Sequence, residues 1–320
     1  MGRKPYSRAF KFANVSSLAS YLSLSEAELR NIVDSVDKLW RPGKKLRKKN
    51  GEIRQTYDAK PKLKDIHEKI KNRLLKRVCY PEYLLGGIAD NSIKRDYKAH
   101  AAIHTGKKYL IEEDVKDFFP NTSDVIVKNI WQRFFSFAPE TAEILTKLTT
   151  LNGMLPQGWK TSSYLANLAF WDVESDLVDN LSNRGITYSR FMDDITVSAS
   201  HKLDAAQKTH IVNAIYKMLF SRGYSPKRSK HEIVSSAEAM KVTGLIVNST
   251  NPSLPKSERD NIRAAVKQCE NSAIESCSTE EYLKMWRSAS GRVGKLKRFH
   301  INEAEKLRAR LNLVRPTHQH

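Results

Sequence analysis

Apolar positions along the chain recur with two periods, which together predict an alternation of helices and short strands. Leucines and isoleucines three or four residues apart predict a first helix over residues 15–40, with Ser16 or Ser17 as its N-cap. Everything from Pro255 onward has a helical pattern. The same spacing predicts further helices at residues 61–78, 122–150, 162–181 and 205–220. Shorter apolar runs predict strands at residues 107–115, 186–192, 195–199, 232–234 and 241–248.

Turn-forming residues divide these elements and indicate the fold class. Asn50-Gly51 predicts a hairpin over residues 48–54. The break at Asn251-Pro252-Ser253 separates a basic, helical C-terminal module from the rest of the chain. Strands and helices in the middle follow no regular βαβ order. This favours an α+β domain built around an antiparallel sheet.

The charge balance indicates a polyanionic partner. The 320 residues include 55 Lys and Arg against 35 Asp and Glu, a formal net charge of +20. The basic residues cluster at residues 41–49 and 287–298. Clustering favours nucleic acid as the partner over a merely basic, solvated surface, although charge alone does not distinguish a polymerase from a passive binder.

Cysteine usage and hydropathy indicate the cellular setting. Cys79, Cys269 and Cys277 are odd in number and far apart, so they fit neither a disulfide framework nor a zinc site. We therefore expect a reducing, cytoplasmic setting. No apolar run approaches the ~20 residues that span a bilayer, so no membrane partner is expected. The basic start of the chain is followed by no long apolar segment, and we expect no cleaved signal.

Two adjacent carboxylates, Asp193 and Asp194, lie between two of the predicted strands. A hairpin would hold them at its tip, where their mutual repulsion favours a bound cation. Taken alone, the pair is more simply an Asp-rich turn. Asp114, near the end of the strand at 107–115, changes this interpretation. A third carboxylate from a neighbouring strand would complete a site for two metal ions, and Mg²⁺ favours such oxygen ligands.

Two further elements stand near these acids in the sequence. Asp117 follows Asp114 and either caps the next helix or takes part in the site. The loop 155–159 lies between the two acidic elements. Its Gly158 permits close backbone approach, and its Gln157 offers both a donor and an acceptor to a nucleotide. Taken alone, this loop predicts only a turn. Its position between the two acidic elements is what indicates a role in the site.

Taken in order, the motifs at 114–119, 155–159 and 191–194 resemble those of reverse transcriptases of the bacterial retron type, and the resemblance covers roughly residues 40–300. It implies a right-hand polymerase architecture: fingers, a palm that contains the antiparallel sheet, and a helical thumb. The implied division is an N-terminal helical segment at 1–40, fingers at 41–106 and 122–155, a palm at 107–121 and 156–250, and a basic thumb that binds RNA at 251–320.

The resemblance also implies catalytic roles. Asp114, the carbonyl of Val115, and Asp193 would bind two Mg²⁺ ions, with Mn²⁺ as the alternative ion, and Asp194 would contribute to the same site more loosely. Lys230 stands in a segment that resembles the motif whose lysine approaches the leaving pyrophosphate. It would act as a general acid. The alternative for Lys230 is a plain surface lysine.

A further set of residues is implied to bind the incoming dNTP. Arg54 would meet its phosphates. The backbone around Asp117 and Phe118 would cradle the triphosphate. Phe119 would exclude a ribose 2′-hydroxyl and so select deoxynucleotides. The loop at 155–159 matches the motif whose glutamine packs near the incoming sugar and base.

Two short motifs and the C-terminal helices narrow the resemblance to retrons. The segment 100–104 takes the place of an Asn-Ala-x-x-His motif, and the triplet 242–244 matches a Val-Thr-Gly motif after the palm. The basic C-terminal stretch resembles the thumb segment that grips the cognate structured RNA. An amphipathic packing helix with a solvated face is a compatible interpretation. The implied RNA contacts are His100, His104, Val242, Thr243, Gly244, Trp286, Arg292, Lys295, Lys297 and Arg298.

The sequence departs from the family pattern at four positions. His100 stands where the family has asparagine, and Phe191 replaces the tyrosine of the Asp-Asp box. Lys227 replaces an asparagine ahead of Lys230, and Glu113 places an acid where the strand usually has an apolar residue. None of these changes removes a metal ligand, so we infer no loss of activity.

The function that the resemblance implies is DNA synthesis on a cognate noncoding RNA, the msr-msd RNA. Priming from an RNA 2′-hydroxyl would give branched RNA–DNA (msDNA), in anti-phage defence with a separate effector protein. One alternative is a defence-associated reverse transcriptase outside the retrons. Another is an RNA-binding scaffold with a polymerase-like fold. RNA synthesis is disfavoured because Phe119 should clash with ribose.

Overall fold

The structure is a computed structural model that describes residues 4–47 and 51–316, with the side chains of residues 275 and 276 left out. The elements up to the central strand are β1 (Tyr6–Ser7), α1 (Val15–Tyr21), α2 (Glu26–Asp34), β2 (Trp40–Arg47), β3 (Ile53–Ala59), α3 (Pro61–Arg73), β4 (Val78–Cys79), α4 (Tyr97–Ile103) and β5 (Tyr109–Asp114). Next come α5 (Phe118–Asn121), α6 (Asp124–Asn129), α7 (Pro139–Thr149), α8 (Ser162–Asn167), α9 (Glu174–Ser182), β6 (Ile186–Phe191) and β7 (Asp194–Ala199). The chain continues with α10 (Ala205–Ser221), β8 (Glu232–Ser235), β9 (Lys241–Val242), β10 (Leu245–Ile246), α11 (Lys256–Ser276), α12 (Glu280–Lys297) and α13 (Ile301–Leu313).

The N-terminal region contains two helices where a single helix was predicted. Asn14, not Ser16 or Ser17, caps α1, because its side chain accepts from the N–H of Ser17. Ser25 and Glu28 form a reciprocal capping box at the start of α2. The single-helix prediction over residues 15–40 is therefore wrong, and the reason is that this capping box begins a second helix.

The predicted hairpin around Asn50-Gly51 is longer than the sequence indicated. β2 and β3 pair antiparallel from Trp40 opposite Ala59 to Arg47 opposite Ile53. An irregularity between Pro42 and Lys45 shifts the register. The predicted turn residue Asn50 lies outside the described residues.

The central sheet is antiparallel, as predicted, with the strand order β6-β7-β5-β8. β5 is an inner strand and pairs with β7 on one side and β8 on the other. Successive side chains of a strand point to opposite faces. Leu110 and Asp114 therefore lie on one face of β5, and Ile111 and Glu113 lie on the other.

The predicted helix over residues 162–181 is broken into α8 and α9. Between them, the N–H groups of Ala169, Trp171 and Val173 bond to carbonyls three residues earlier in the chain. Such bonds make tight turns that do not continue an α-helix. The break is important for the site because it brings Glu174, the first residue of α9, against the buried side of β6.

The apolar side chains form two clusters. The main core joins the N-terminal helices, the sheet and the helices α6 to α10. The second core fills the C-terminal three-helix bundle α11–α13, but it also includes Ala101, Leu110 and Val234. The C-terminal module is therefore not separate: it shares its core with α4 and with one face of the sheet. None of the described helices is long and apolar enough to cross a membrane.

Candidate active site

The sheet register brings the three predicted catalytic aspartates together. Asp114, the last residue of β5, pairs directly with Asp194, the first residue of β7. The N–H of Val115 donates to the carbonyl of Asp193 over 2.9 Å. The three carboxylates thus lie at one end of two adjacent strands, although the acids are about 80 residues apart in sequence.

A two-residue turn presents Asp193 beyond the end of the sheet. Phe191 pairs with Asp194, so only Met192 and Asp193 lie between the strands β6 and β7. Met192 has a φ of 61°. This left-handed conformation is costly for a residue with a side chain, and it persists where surrounding contacts hold it.

The electrostatics of the site favour a bound cation. Burial raises the pKa of Asp194 to about 6, and the charge of Asp193 adds to the effect. Burial, followed by the charge of Asp114, also raises the pKa of Asp193. The positive charges of Lys230 and Arg54 act in the opposite direction on Asp193. A divalent ion would relieve this repulsion more fully than either side chain does.

Lys230 provides the positive charge at the site in this structure. Its ammonium group bonds to the carboxylate of Asp114 and lies 3.5 Å from Oδ1 of Asp194. Burial lowers its pKa, but the aspartates outweigh burial and the net shift is upward. The N–H of Lys227 donates to the Asp114 carbonyl over 2.7 Å and fixes the loop that carries Lys230. Lys230 is therefore no plain surface lysine, although half of its side chain is exposed.

The oxygen atoms at this site suit a divalent metal ion, although the side chains do not converge on one metal position. In the described part of the chain, no three His, Cys, Asp or Glu side chains converge tightly enough to hold a metal. The ammonium group of Lys230 forms an ion pair with Asp114 instead. The available donors are the carboxylates of Asp114, Asp193 and Asp194 and the Val115 carbonyl. Such oxygens are the ligands of hard divalent cations.

A cavity of about 180 Å³ lies between strand β3, the segment at Asp117 and Pro120, and the loop at residues 154–157. Three predicted nucleotide contacts, Arg54, Asp117 and Gln157, line this cavity together. Oε1 of Gln157 is buried and has no partner, so it can accept a hydrogen bond there. Asp117 has a φ of 45° and makes no side-chain bond to α5, which leaves the capping interpretation unsupported.

The adjacent phenylalanines are placed differently. Phe118 is buried, and its ring is parallel to that of Phe170 with centroids 6.0 Å apart. Only its backbone could face a triphosphate. Phe119 is half-buried and meets Phe118 edge to face. The side chain of Phe119 is thus the one available to act as a gate.

Gly158 serves a contact that the sequence did not indicate. A Cβ atom at this position would lie 2.7 Å from the carbonyl oxygen of Tyr57 in β3, and the φ of Gly158 is 108°. The N–H of Tyr57 also donates to the carbonyl of Gln157 over 2.8 Å. The close approach is therefore to the hairpin and not to a nucleotide. It attaches the loop 155–159 to β3.

His100 and His104, two predicted RNA contacts, are fully buried beneath the catalytic turn. Both rings bond to Oγ of Ser189, over 2.7 and 2.6 Å, and His104 also bonds to Ser198. His100 stacks on Phe191, with centroids 5.5 Å apart. As the structure stands, the two histidines support the strands β6 and β7 and cannot touch RNA directly. These hydrogen bonds offset part of the cost of burying the two rings, although Nδ1 of His100 is buried without a partner.

These buried histidines predict an acid-sensitive fold. Burial lowers the pKa of His100 to about 4 and that of His104 well below its usual value. The unfolded chain therefore binds more protons than the folded one between roughly pH 6.5 and pH 4. Stability is fully present above pH ~6.5 and falls on acidification, by up to about 1.4 kcal/mol per pH unit for each histidine. Chemical denaturation at a series of pH values measures this slope.

Replacement of His100 measures how much this histidine contributes to the change of stability per pH unit. His100→Asn removes one titrating group, so the loss of stability per pH unit should become smaller. His201 is exposed, and His201→Asn should leave the slope as it is. Equal slopes for the two variants would contradict the prediction.

The other predicted RNA contacts divide into exposed and buried residues. Val242 is buried, so its side chain cannot contact RNA, whereas Thr243, Gly244 and Lys295 line a groove of about 760 Å³. Arg292, Lys295, Lys297 and Arg298 are exposed on α12 and just beyond it.

Several of these residues also make contacts within the protein. Arg298 pairs with Asp96 over 2.7 Å, and its guanidinium lies over the ring of Tyr97. Trp286 is half-buried and donates to the carbonyl of Leu311 over 3.0 Å. These contacts tie α12 to α4 and to α13.

Glu113 is a site-adjacent residue whose role the sequence did not reveal. Its buried carboxylate accepts from His231 over 2.6 Å and from the hydroxyl of Tyr216 over 3.2 Å. His231 directly follows Lys230. The pair therefore fixes the segment that carries Lys230 to β5. The signal in the sequence was the acid itself, at a position where the family pattern is apolar.

The antiparallel sheet, its strand register and the three clustered aspartates together indicate the class of protein. A model of the family "Reverse transcriptase (RNA-dependent DNA polymerase)" matches residues 46–247, a range that includes Asp114, Asp193, Asp194 and Lys230. The chain belongs to this family, and it is an RNA-directed DNA polymerase. The family implies the use of divalent metal ions.

Comparison with curated relatives narrows the class. The chain is 34% identical to the Retron Se72 reverse transcriptase of Salmonella heidelberg (strain 579083-10), over 98% of this chain and 83% of the relative. It is 30% identical to the Retron Ec48 reverse transcriptase of Escherichia coli, over 98% of this chain and 79% of the relative. A Retron Ec86 reverse transcriptase, also of Escherichia coli, is 23% identical over 67% of this chain and 64% of the relative. The chain is thus a reverse transcriptase of the retron type.

Proposed function

We propose that the chain copies a cognate structured noncoding RNA, the msr-msd RNA, into DNA, with a 2′-hydroxyl of that RNA as the primer. The product is a branched RNA–DNA molecule (msDNA). The meeting of Asp114, Asp193 and Asp194 beside Lys230 supports the polymerase activity in this proposal. The RNA template and the 2′-hydroxyl primer rest on the similarity to retron reverse transcriptases. A separate effector protein would use the product in anti-phage defence, as the resemblance to retrons implies.

The reaction follows from the proposed roles of the residues. Asp114, Asp193, Asp194 and the Val115 carbonyl would hold Mg²⁺, or alternatively Mn²⁺, which neutralises charge on the phosphates. The primer hydroxyl would lose its proton to solvent as its oxygen bonds to the α-phosphorus of a dNTP and the bond to the pyrophosphate oxygen breaks. Lys230, released from its ion pair with Asp114, would donate a proton to that leaving oxygen. Arg54 binds the phosphates, and Gln157 contacts the sugar or base.

We assign the subdomains accordingly. The N-terminal helical segment is 1–40, the fingers are 41–106 and 122–155, the palm is 107–121 and 156–250, and the thumb is 251–320. The β2–β3 hairpin lies in the fingers and lines the nucleotide cavity, and the sheet lies in the palm. The groove at Thr243, Gly244 and Lys295 lies between palm and thumb, and we assign it to the RNA.

Sequencing of the bound nucleic acid tests the proposal. The protein would be purified from its native host, and the attached RNA and DNA would be sequenced. A covalent RNA–DNA hybrid is the expected result. An Asp193→Asn variant, purified in parallel, should retain the RNA without attached DNA. Recovery of RNA free of DNA from the wild-type protein would contradict the proposal.

The gate role of Phe119 predicts a change in sugar selection. Phe119→Val removes bulk from a half-buried ring that lies in the chain between the cavity residues Asp117 and Pro120, so ribonucleotides should be incorporated more readily. We expect discrimination against them to fall by about 10²-fold, the order that steric pockets achieve. Competing dNTP and rNTP incorporation on one template measures the ratio. Phe119→Tyr keeps the bulk and should keep the discrimination. Unchanged selection by Phe119→Val would refute the gate.

A further inference from the structure

Arg190, directly before the Asp-Asp box, has a fully buried side chain with no exposed surface. Its guanidinium forms two parallel bonds to Glu174, 2.6 Å from Nε to Oε1 and 2.8 Å from Nη2 to Oε2. Glu174 is buried as well and also accepts from the Tyr188 hydroxyl over 2.7 Å. A buried charge pair is a weak source of stability, because desolvation offsets the attraction. Its presence at this position therefore needs another explanation.

The remaining donors of Arg190 reach the catalytic turn. Nη1 donates to the carbonyl of Met192 over 3.1 Å, and Nη2 donates to the carbonyl of Asn167 in α8 over 3.1 Å. Met192 is the left-handed residue that precedes Asp193. Such a conformation persists only where neighbours determine it, and the bond from Arg190 holds its carbonyl directly. Glu174 in turn fixes the plane of the guanidinium, since the bond pair is bidentate.

Two further contacts connect Arg190 to the first acidic motif. The guanidinium lies over the ring of Phe118, 5.7 Å from its centroid, and over Phe170 at 5.3 Å. Phe118 stands between Asp117, which lines the nucleotide cavity, and Phe119. One side chain thus touches the turn that presents Asp193, the segment after Asp114, and the helix after the loop 155–159.

The segment at Gly86 and Gly87 also packs closely against the turn. A Cβ atom on Gly86 would lie 3.0 Å from the backbone nitrogen of Met192, and a Cβ atom on Gly87 would lie 2.5 Å from the sulfur of Met192. The amide of Asn167 bonds to the Gly86 carbonyl over 2.8 Å. The turn is therefore in contact both with the segment at Gly86 and Gly87 and with Arg190.

We propose that Arg190 and Glu174 are positioning residues, which set the catalytic turn and the nucleotide-binding segment in one fixed relation. The inference rests on the proposed roles of Asp193 and Asp194 but not on RNA-primed branching. It concerns every nucleotide addition, so it can be tested on an ordinary primed RNA template. Loss of the pair should lower kcat and leave the KM for dNTP nearly unchanged, because the cavity residues Arg54 and Gln157 are untouched.

The double variant Arg190→Met, Glu174→Gln separates positioning from stability. Removal of one partner alone would leave a buried charge and unfold the protein, whereas removal of both leaves a neutral core. The introduced glutamine would still accept from Tyr188, but the Met192 carbonyl would lose its donor. We expect a melting temperature close to that of wild type and a kcat about 100-fold lower, the scale of a misplacement near 1 Å. A wild-type kcat in the folded double variant would overturn the proposal.

Arg190→Lys covers the case in which the double variant does not fold. Lysine keeps the charge and the pair with Glu174, but it cannot also donate to the carbonyls of Met192 and Asn167. We expect a folded protein with kcat lowered at least tenfold, and full kcat in this variant would equally overturn the proposal.

A second ion pair in the same region provides the matched control. Arg222 and Asp172 also form two bonds, over 3.1 and 2.5 Å, but they are part-exposed, and neither bond involves the catalytic turn. Arg222→Met, Asp172→Asn should leave kcat unchanged. Asp193→Asn, measured in the same assay, distinguishes failure of the assigned site from failure of the positioning role. Residual activity of Asp193→Asn would refute the assigned site. An inactive Asp193→Asn together with a fully active Arg190→Met, Glu174→Gln variant would refute only the positioning role.

Discussion

Asp193→Asn is expected to abolish DNA synthesis while the protein stays folded. Asparagine has nearly the same shape as aspartate but offers no negative charge, so the charge that would hold the metal beside Asp114 and Asp194 is reduced. We expect kcat to fall by at least about 10³-fold, equivalent to roughly 4 kcal/mol of transition-state stabilisation. Single-nucleotide extension of a primed RNA template measures the loss.

Stability distinguishes this loss from unfolding. Burial and the neighbouring carboxylates raise the pKa of Asp193, which means that the fold disfavours its charge. The neutral variant should therefore be at least as resistant to heat as the wild type. Asp65→Asn, which changes an exposed acid on α3, should alter neither activity nor stability. An Asp193→Asn protein with substantial activity would contradict the assignment of the site.

Gly158→Ala should also be damaging, although we place no reacting atom on this residue. Its new methyl group would overlap the Tyr57 carbonyl, and alanine would have to adopt a φ of 108°. The β2–β3 hairpin and the loop 155–159 must then separate, which displaces Arg54 from Gln157 across the nucleotide cavity. We expect the KM for dNTP to rise about tenfold or more, and the free energy of unfolding to fall by about 1–3 kcal/mol.

A nearby glycine distinguishes the effect of the steric clash from the effect of the left-handed backbone. Gly153 has a φ of 74°, but a Cβ atom there would meet nothing within 4 Å. Gly153→Ala therefore carries the cost of the left-handed backbone without the clash. Steady-state kinetics of both variants should show a large rise in KM for Gly158→Ala only. Equal effects on KM would mean that contact with Tyr57 is not what positions the cavity.

The pattern of the sequence was sufficient for the elements that carry the aspartates. Short apolar runs predicted strands at the positions of β5, β6 and β7, and the Asp-Asp box between two strands predicted a hairpin with Asp193 and Asp194 at its tip. Pairing of Asp114 with Asp194 followed from the same strands once they were neighbours in one antiparallel sheet. These features are local in sequence or depend on a single strand pairing, which explains why they could be predicted.

Other features depended on contacts that no local pattern contains. The role of Gly158 is set by Tyr57, about 100 residues earlier in the chain. His100 and Phe191 were noted as two unrelated departures from the family pattern, yet the structure stacks their rings on each other with an interplanar angle of 24°. Burial of His100 could not be foreseen either, because the sequence does not show which face of a seven-residue helix packs on the sheet.

The short helix α4 also bears on how RNA specificity could be transplanted between such enzymes. Its N-terminal end meets the C-terminal end of α12, where Asp96 pairs with Arg298 and Tyr97 packs on Phe299. His100, in the middle of the same helix, packs on Phe191 at the catalytic turn. A chimera cut only at the start of the C-terminal bundle would separate these partners. On the proposed assignment of the RNA to the C-terminal helices, the exchangeable unit is discontinuous: the donor's counterpart of residues 96–104 must be carried over together with its α11–α13.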